Sequence, residues 1–297
     1  MAEDAEALFA LAVRKLAGDG MKRDLAEARA LFRRAGESGR HDAAVIHANF
    51  VAAGVGAPAD WLRGVDLLRG LAASDLRCRR ELATIDAMAL TDSGDPQSVP
   101  AGERISEAPE IVLFRGFFTP AECRYLVEAA EPMLEPSVVV DNANGRQVRD
   151  PVRTSDGTGF TWPLENPAVH ALNRRIAAAT RTDVVQGEPL QVLRYRPGDQ
   201  YRTHFDAIPG FANQRILTML VWLNRGYEGG ETRFPSAELS LRGAAGDAIL
   251  FRNALPDGRR DPAAAHAGLP VVSGEKLIAS RWIRQRPFEL PTGERAA

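Results

Sequence analysis

PLQVLRY (residues 189–195), RPGDQ (196–200), ILTMLVWLN (216–224), RGYEGGE (225–231) and AILFRN (248–253) decide the fold of the C-terminal half of the chain. Short apolar runs alternate with Gly, Pro, Asp and Asn, the pattern of strands joined by turns. Strands at this spacing predict a β-sandwich or barrel, and a double-sheet jelly roll manages the sheet edges in a chain of this length. Upstream, Ile111-Val112-Leu113-Phe114 reads as another strand. Pro120 to Met133 reads as a helix, with Thr119 as N-cap and Pro120 in the first turn.

Residues 3–90 have a different texture. Ala, Leu and Arg dominate, and Leu8, Leu11, Ala12, then Ala28, Leu31, Phe32 and Ala35 fall at helical spacing. Gly18-Asp19-Gly20 recurs as Gly54-Val55-Gly56, Asp24 as Asp60, and Leu31-Phe32-Arg33 as Leu67-Leu68-Arg69, all 36 residues on. A period in the mid-thirties with glycine between helical stretches marks a helix-turn-helix solenoid. The pattern resembles Sel1-like repeats, relatives of the tetratricopeptide family, with about two copies. Residues 91–108 are polar, with two prolines and two glycines, and read as a linker. The expected architecture is therefore multidomain: all-α repeats (3–90), a linker, and an α+β domain (109–290) built on a double-stranded β-helix, or jelly roll.

The composition excludes several classes. With 37 basic residues against 39 acidic ones, nothing suggests a nucleic-acid surface. The N-terminal MAEDAEALFALAVRKL is acidic and amphipathic, unlike a signal peptide, and no apolar run approaches a membrane span. Cys78 and Cys123 are too few for a disulfide framework and lack metal-ligand spacing. A cytoplasmic protein is expected, without a membrane or nucleic-acid partner. No GxxxxGK[ST] loop or HExxH helix occurs.

The chemistry lies in His204-Phe205-Asp206 and His266. On a strand, His204 and Asp206 would project from one face, and His266 lies where a later strand could return it to them. Two imidazoles and a carboxylate suit ferrous iron and leave three coordination positions for oxygen and a co-substrate. Lys276 is one of only three lysines in the chain. If KLIASRW is a strand, Lys276, Ile278, Ser280 and Trp282 share a face. An inward lysine among apolar neighbours calls for an anionic partner, such as a dicarboxylate. The other histidines, His41, His47 and His170, read as structural or exposed.

Residues 110–288 resemble the prolyl 4-hydroxylase branch of the iron- and 2-oxoglutarate-dependent dioxygenases. The matching stretches are LQVLRYRPGDQYRTHFD, RILTMLVWLNRGYEGGETRFP, GDAILFRN and DPAAAHAGLPVVSGEKLIASRWI. The resemblance implies that His204, Asp206 and His266 bind Fe(II) and that Lys276 pairs with the distal carboxylate of 2-oxoglutarate. Tyr195, and with it Thr218, would give that carboxylate hydrogen bonds, although both types also suit ordinary strand positions. Residues 141–160 resemble the family's mobile substrate-covering loop, around Arg153. Tyr201 and Trp282 match positions lining the substrate side, where core packing is an alternative. Trp222, Leu277 and Ala264-Ala265 depart from the usual pattern and affect the shape of the pocket rather than its ligands.

The implied reaction couples oxidative decarboxylation of 2-oxoglutarate to hydroxylation of a peptidyl residue, with O2 as oxidant and ascorbate as reductant. The helical repeats favour a protein or peptide partner. A free amino acid or another small molecule is the competing substrate. A non-catalytic repeat scaffold is the reading of a different class.

Overall fold

The computed structural model describes residues 4–140, 147–149 and 151–289. The chain divides into two compact units: the residues up to Ser98 group with Phe160–Arg175, and Val99–Gly159 groups with Ile176–Phe288.

The first unit is helical. Its elements are α1 (Ala5–Ala17), α2 (Leu25–Glu37), α3 (His41–Ala53), α4 (Trp61–Ala72) and α5 (Leu76–Asp86). Each sequence neighbour packs on the next, as short connections between amphipathic helices require. The stripe Ala28, Leu31, Phe32 and Ala35 is the buried face of α2. Phe32 lies edge-on between Phe9 and Phe50, at 5.6 and 5.5 Å between ring centres.

The helix ends recur as well. Gly18 and Gly54 close α1 and α3 in the left-handed region, at φ 75° and 77°, where a side chain would be strained. Asp24 and Asp60 cap α2 and α4 through the backbone N–H groups of Glu27 and Arg63.

Residues 160–175 belong with these helices through contacts that are distant in sequence. Trp162 packs against the helical core, with the Arg23 guanidinium 5.5 Å from its ring centre. Asn49 Nδ2 donates to the Pro163 carbonyl at 3.0 Å. The unit boundary is thus less simple than a run of helices, a linker and a second domain along the chain.

The second unit is built on antiparallel sheets. Its strands are β1 (Gly102–Glu107), β2 (Glu110–Phe114), β3 (Glu135–Pro136), β4 (Val138–Val140), β5 (Gln147–Arg149), β6 (Asp156–Gly159), β7 (Gln191–Tyr195) and β8 (Tyr201–His204). They continue with β9 (Arg215–Trp222), β10 (Glu228–Gly229), β11 (Thr232–Phe234), β12 (Leu239–Leu241), β13 (Ala248–Arg252), β14 (His266–Gly268), β15 (Val271–Ser273) and β16 (Lys276–Arg284). The large sheet runs β1-β2-β13-β9-β16-β7-β6-β3 and the smaller one β12-β11-β14-β8; β10 pairs with β15 and β4 with β5. From β7 onward the chain passes repeatedly between the two larger sheets, an arrangement consistent with the jelly roll expected from the apolar runs.

Helix α6 (Pro120–Ala130) starts at Thr119 with a full capping box closed by Glu122 and runs into a 3-10 turn at Glu131–Met133. Helix α7 (Pro167–Thr180) follows β6.

Two expectations differ from what is found. The stretch read as a linker ends in β1, whose pairing with β2 satisfies its backbone despite its polar sequence. The stretch read as a covering loop is partly strand: β6 joins the large sheet beside β7. Residues 141–146 and 150 of that stretch lie outside the described residues.

Candidate functional site

β8 and β14 are neighbours, and their register puts His204 directly opposite His266. The two rings are 4.2 Å apart between centres. Each ring is oriented by its own backbone, since Nδ1 of His204 donates to the Arg202 carbonyl at 2.8 Å and Nδ1 of His266 to the Ala264 carbonyl at 3.0 Å. A carbonyl can only accept, so each imidazole carries a proton on Nδ1, and its Nε2 is the atom nearest the Asp206 carboxylate. The Tyr201 ring stacks on His204 at 3.4 Å between centres, while Phe251 and Phe234 pack against His266 at 4.7 and 5.5 Å.

Asp206 completes the trio, though not as expected. β8 ends at His204, and Asp206 lies in the bend beyond it, so the alternation of a single strand does not bring the two side chains together. Its Oδ1 is 3.6 Å from His204 Nε2 and its Oδ2 is 3.7 Å from His266 Nε2. All three donor atoms lie within 4.8 Å of one another. Burial opposes ionisation of Asp206, yet His266, His204 and the Thr218 hydroxyl hold its carboxyl well below the ordinary carboxylate range. Burial lowers His266, against the pull of the Asp206 charge.

Lys276 opens β16 directly opposite Tyr195 of β7. Both line the pocket that holds the trio, together with Ile278, Ser280 and Trp282, so the predicted shared face of β16 is present. The ammonium is buried and donates to the Gly230 carbonyl at 2.7 Å. Burial lowers it to about 8, and Glu231 partly restores it. Burial raises the Tyr195 phenol.

Thr218 also lines the pocket, but its hydroxyl has other partners. It donates to Asp206 Oδ2 at 2.6 Å and accepts from Asn253 Nδ2 at 2.8 Å. The hydrogen bond expected from Thr218 to a co-substrate carboxylate is thus directed at Asp206 instead. Arg153, Tyr201 and Trp282 line the same pocket. Arg153 bridges to Tyr201 across the backbone, and Trp282 lies under the Arg215 guanidinium at 3.6 Å.

The other histidines are separate from this pocket. His47 is lowered to about 4 by burial and by Arg29 and Arg33, and His170 bonds Glu165 at 2.8 Å. His41, Asp75 and Cys78 form a second compact trio. There Asp75 already caps α5 and holds the Arg77 guanidinium, which accounts for its position. Trp222 is fully buried, and Ala264 belongs to a short 3-10 turn before β14.

Sequence reasoning missed Asn253 and the orienting carbonyls of Arg202, Ala264 and Gly230. Asn253 had a faint signal, as an amide directly after the apolar run AILFR. The carbonyls had none, because every residue type carries one.

Two imidazoles and a carboxylate gathered in one pocket define a metal-binding protein whose donor set suits ferrous iron. Comparison with known proteins narrows the class. Residues 190–284 match the profile of the 2OG-Fe(II) oxygenase superfamily. Prolyl 4-hydroxylase 1 of Arabidopsis thaliana is 35% identical over 246 residues, covering 75% of this chain and 85% of the relative. Prolyl 4-hydroxylase 5 of the same plant is 36% identical over 238 residues, covering 71% and 81%. Among solved structures, the 2OG complex of the viral collagen prolyl hydroxylase from Paramecium Bursaria Chlorella virus-1 aligns at a TM-score of 0.49 with 28% identity, covering 61% of this chain and 98% of that one. The chain belongs to the prolyl 4-hydroxylase family of 2OG-Fe(II) oxygenases. It is an Fe(II)- and 2-oxoglutarate-dependent dioxygenase that uses O2.

Proposed function

We propose that the protein hydroxylates a prolyl residue within a peptide or protein, with Fe(II) held by His204, Asp206 and His266 and 2-oxoglutarate anchored by Lys276. One observation carries the reading. A single pocket joins two imidazole Nε2 atoms and a carboxylate to a buried lysine that, among the described residues, donates its hydrogen bond to a carbonyl. The donor set fits ferrous iron with open positions, and the Nδ1 bonds supply the orienting contacts that metal-binding histidines use. When bound, Fe(II) and O2 supply the oxidation: 2-oxoglutarate leaves as succinate and CO2, one oxygen atom enters succinate, and the other becomes the new hydroxyl.

The chain's own residues bind and orient. Lys276 would meet the far carboxylate of 2-oxoglutarate as a charge-assisted pair away from water. Tyr195, opposite it on β7, would add its phenol. Arg153, Tyr201 and Trp282 would flank the residue to be hydroxylated. The peptidyl substrate is supported by the prolyl 4-hydroxylases among the relatives.

For the N-terminal helices we propose about two Sel1-like repeats that recruit the protein substrate. The reading is supported by caps that recur 36 residues apart, Gly18 with Gly54 and Asp24 with Asp60. The face that holds Trp162 and Pro163 is occupied by the chain itself, so a partner would meet another face. We also propose a cytoplasmic location, where the buried, unpaired thiols of Cys78 and Cys123 would stay reduced.

The test is anaerobic reconstitution with Fe(II), then O2, 2-oxoglutarate, ascorbate and proline-containing peptides. The expected result is succinate in step with a one-oxygen mass gain on proline, both abolished in Asp206→Ala. Turnover of free amino acids alone, with every peptide unchanged, would overturn the peptidyl assignment. No succinate under any condition would overturn the enzyme.

A further inference from the structure

The least expected polar group around the trio is Asn253. It follows β13, is 1% exposed, and its backbone is held on both sides: its N–H donates to the Ile216 carbonyl and its carbonyl accepts from Asp261. Its side chain is satisfied on one side only. Nδ2 donates to Thr218 Oγ1 at 2.8 Å, whereas Oδ1 is buried without a hydrogen-bond partner among the described residues. An unmet buried carbonyl is destabilising, and an apolar residue of similar shape would avoid it. The amide therefore calls for an explanation.

Polarity supplies one. A carboxylate accepts only, so the 2.6 Å contact between Thr218 and Asp206 Oδ2 requires the hydroxyl to donate to Asp206. The hydroxyl has one hydrogen, so its contact with Asn253 must be one in which it accepts. Only Nδ2 can serve there; turning the amide round would set two acceptors against each other. The chain Asn253 to Thr218 to Asp206 thus has a single direction. It occupies Oδ2 and leaves Oδ1, the oxygen 3.6 Å from His204 Nε2, without a donor from Thr218.

We propose that Asn253 is a positioning residue: by donating to Thr218 it obliges that hydroxyl to donate to Oδ2 of Asp206, so that Oδ1 is the oxygen offered to a metal ion. The inference rests on the reading of His204, Asp206 and His266 as the metal site. Carboxylate ligands are commonly fixed by such outer contacts, and losing one weakens metal binding by about 10–100-fold. Here the device has two links, and the second is an asparagine that the sequence places 47 residues from the carboxylate it controls.

The experiment is an anaerobic Co(II) titration of the full chain, followed by visible absorption of the bound ion, with thermal melting of each metal-free variant alongside. Thr218→Val and Asn253→Leu break the relay without reversing it, and Asn253→Asp reverses it by putting an acceptor where a donor is needed. Each should bind Co(II) about tenfold or more weakly. Asn253→Leu should melt within a few degrees of the wild type, because the lost Nδ2 hydrogen bond is offset by removal of the unmet buried Oδ1. Thr218→Ser keeps the hydroxyl and should restore wild-type affinity. Unchanged affinity in Thr218→Val and Asn253→Leu would overturn the relay, as would a Thr218→Ser variant as weak as Thr218→Val. If the wild type takes up no more Co(II) than His204→Ala, the metal reading falls and the relay with it.

Discussion

Strand β16 begins with one buried cation and ends with another, and the two are treated in opposite ways. Arg284, at its end, lies against Glu188, with Nε 2.6 Å from Oε1 in an ionic contact rather than a well-aligned hydrogen bond. Its Nη1 donates to the Asn213 carbonyl at 2.7 Å. Glu188 is also held by Arg215 through both carboxylate oxygens, at 2.6 and 2.8 Å. Lys276, at the start, has the Gly230 carbonyl and the Tyr195 ring, with Glu231 acting on it only at longer range. A buried charge that the fold pairs is part of the fold; one that it leaves to a carbonyl is held ready for something else.

Four measurements would break or sharpen that contrast. The largest effect belongs to the trio: His204→Ala should reduce succinate formation to background, and retained turnover would remove iron from these residues. Next is Lys276→Met. Loss of a buried charge partner costs about 3–5 kcal/mol, so 2-oxoglutarate should bind on the order of 100- to 4,000-fold more weakly by calorimetry. The same variant should melt higher than the wild type at pH 7, because it removes a charge that burial disfavours. Glu188→Gln should act oppositely, lowering stability by roughly 3 kcal/mol with little change in 2-oxoglutarate affinity. If Lys276→Met melts lower, or Glu188→Gln is silent in urea unfolding, the two ends of β16 do not differ as described.

The smallest effect is one of pH. Folding lowers Lys276 from 10.5 to about 8, so between these values the unfolded chain keeps a proton that the folded chain has lost. Stability without co-substrate should therefore rise with pH across that window, and the penalty is present in full below it. A bound dicarboxylate favours the charged lysine, so above pH 8 binding takes up a proton. Affinity for 2-oxoglutarate should then fall by up to about tenfold per pH unit. Lys276→Arg should flatten the slope, because a guanidinium keeps its charge; an unchanged slope would assign it to another group.

The sequence by itself determined the elements that repeat or alternate. Helical spacing marked the buried stripe of α2, because that stripe is set by residues a few positions apart, and the 36-residue recurrence marked Gly18, Gly54, Asp24 and Asp60, which the structure uses as helix caps. Strand alternation marked the inward face Lys276, Ile278, Ser280 and Trp282 for the same reason. The composition of the trio was legible too, since only a few histidines and one lysine were available in the C-terminal half.

The tertiary structure alone decided how those residues are used. It set His204 opposite His266 by register, carried Asp206 round a bend, and turned Thr218 toward Asp206 under Asn253. It also assigned residues 160–175 to the helical unit through Trp162 and Asn49. These contacts join residues far apart in the chain, and several end on backbone carbonyls that every residue shares. Local propensity carries no record of which carbonyl or which distant side chain will be met, and only folding brings them within hydrogen-bond reach.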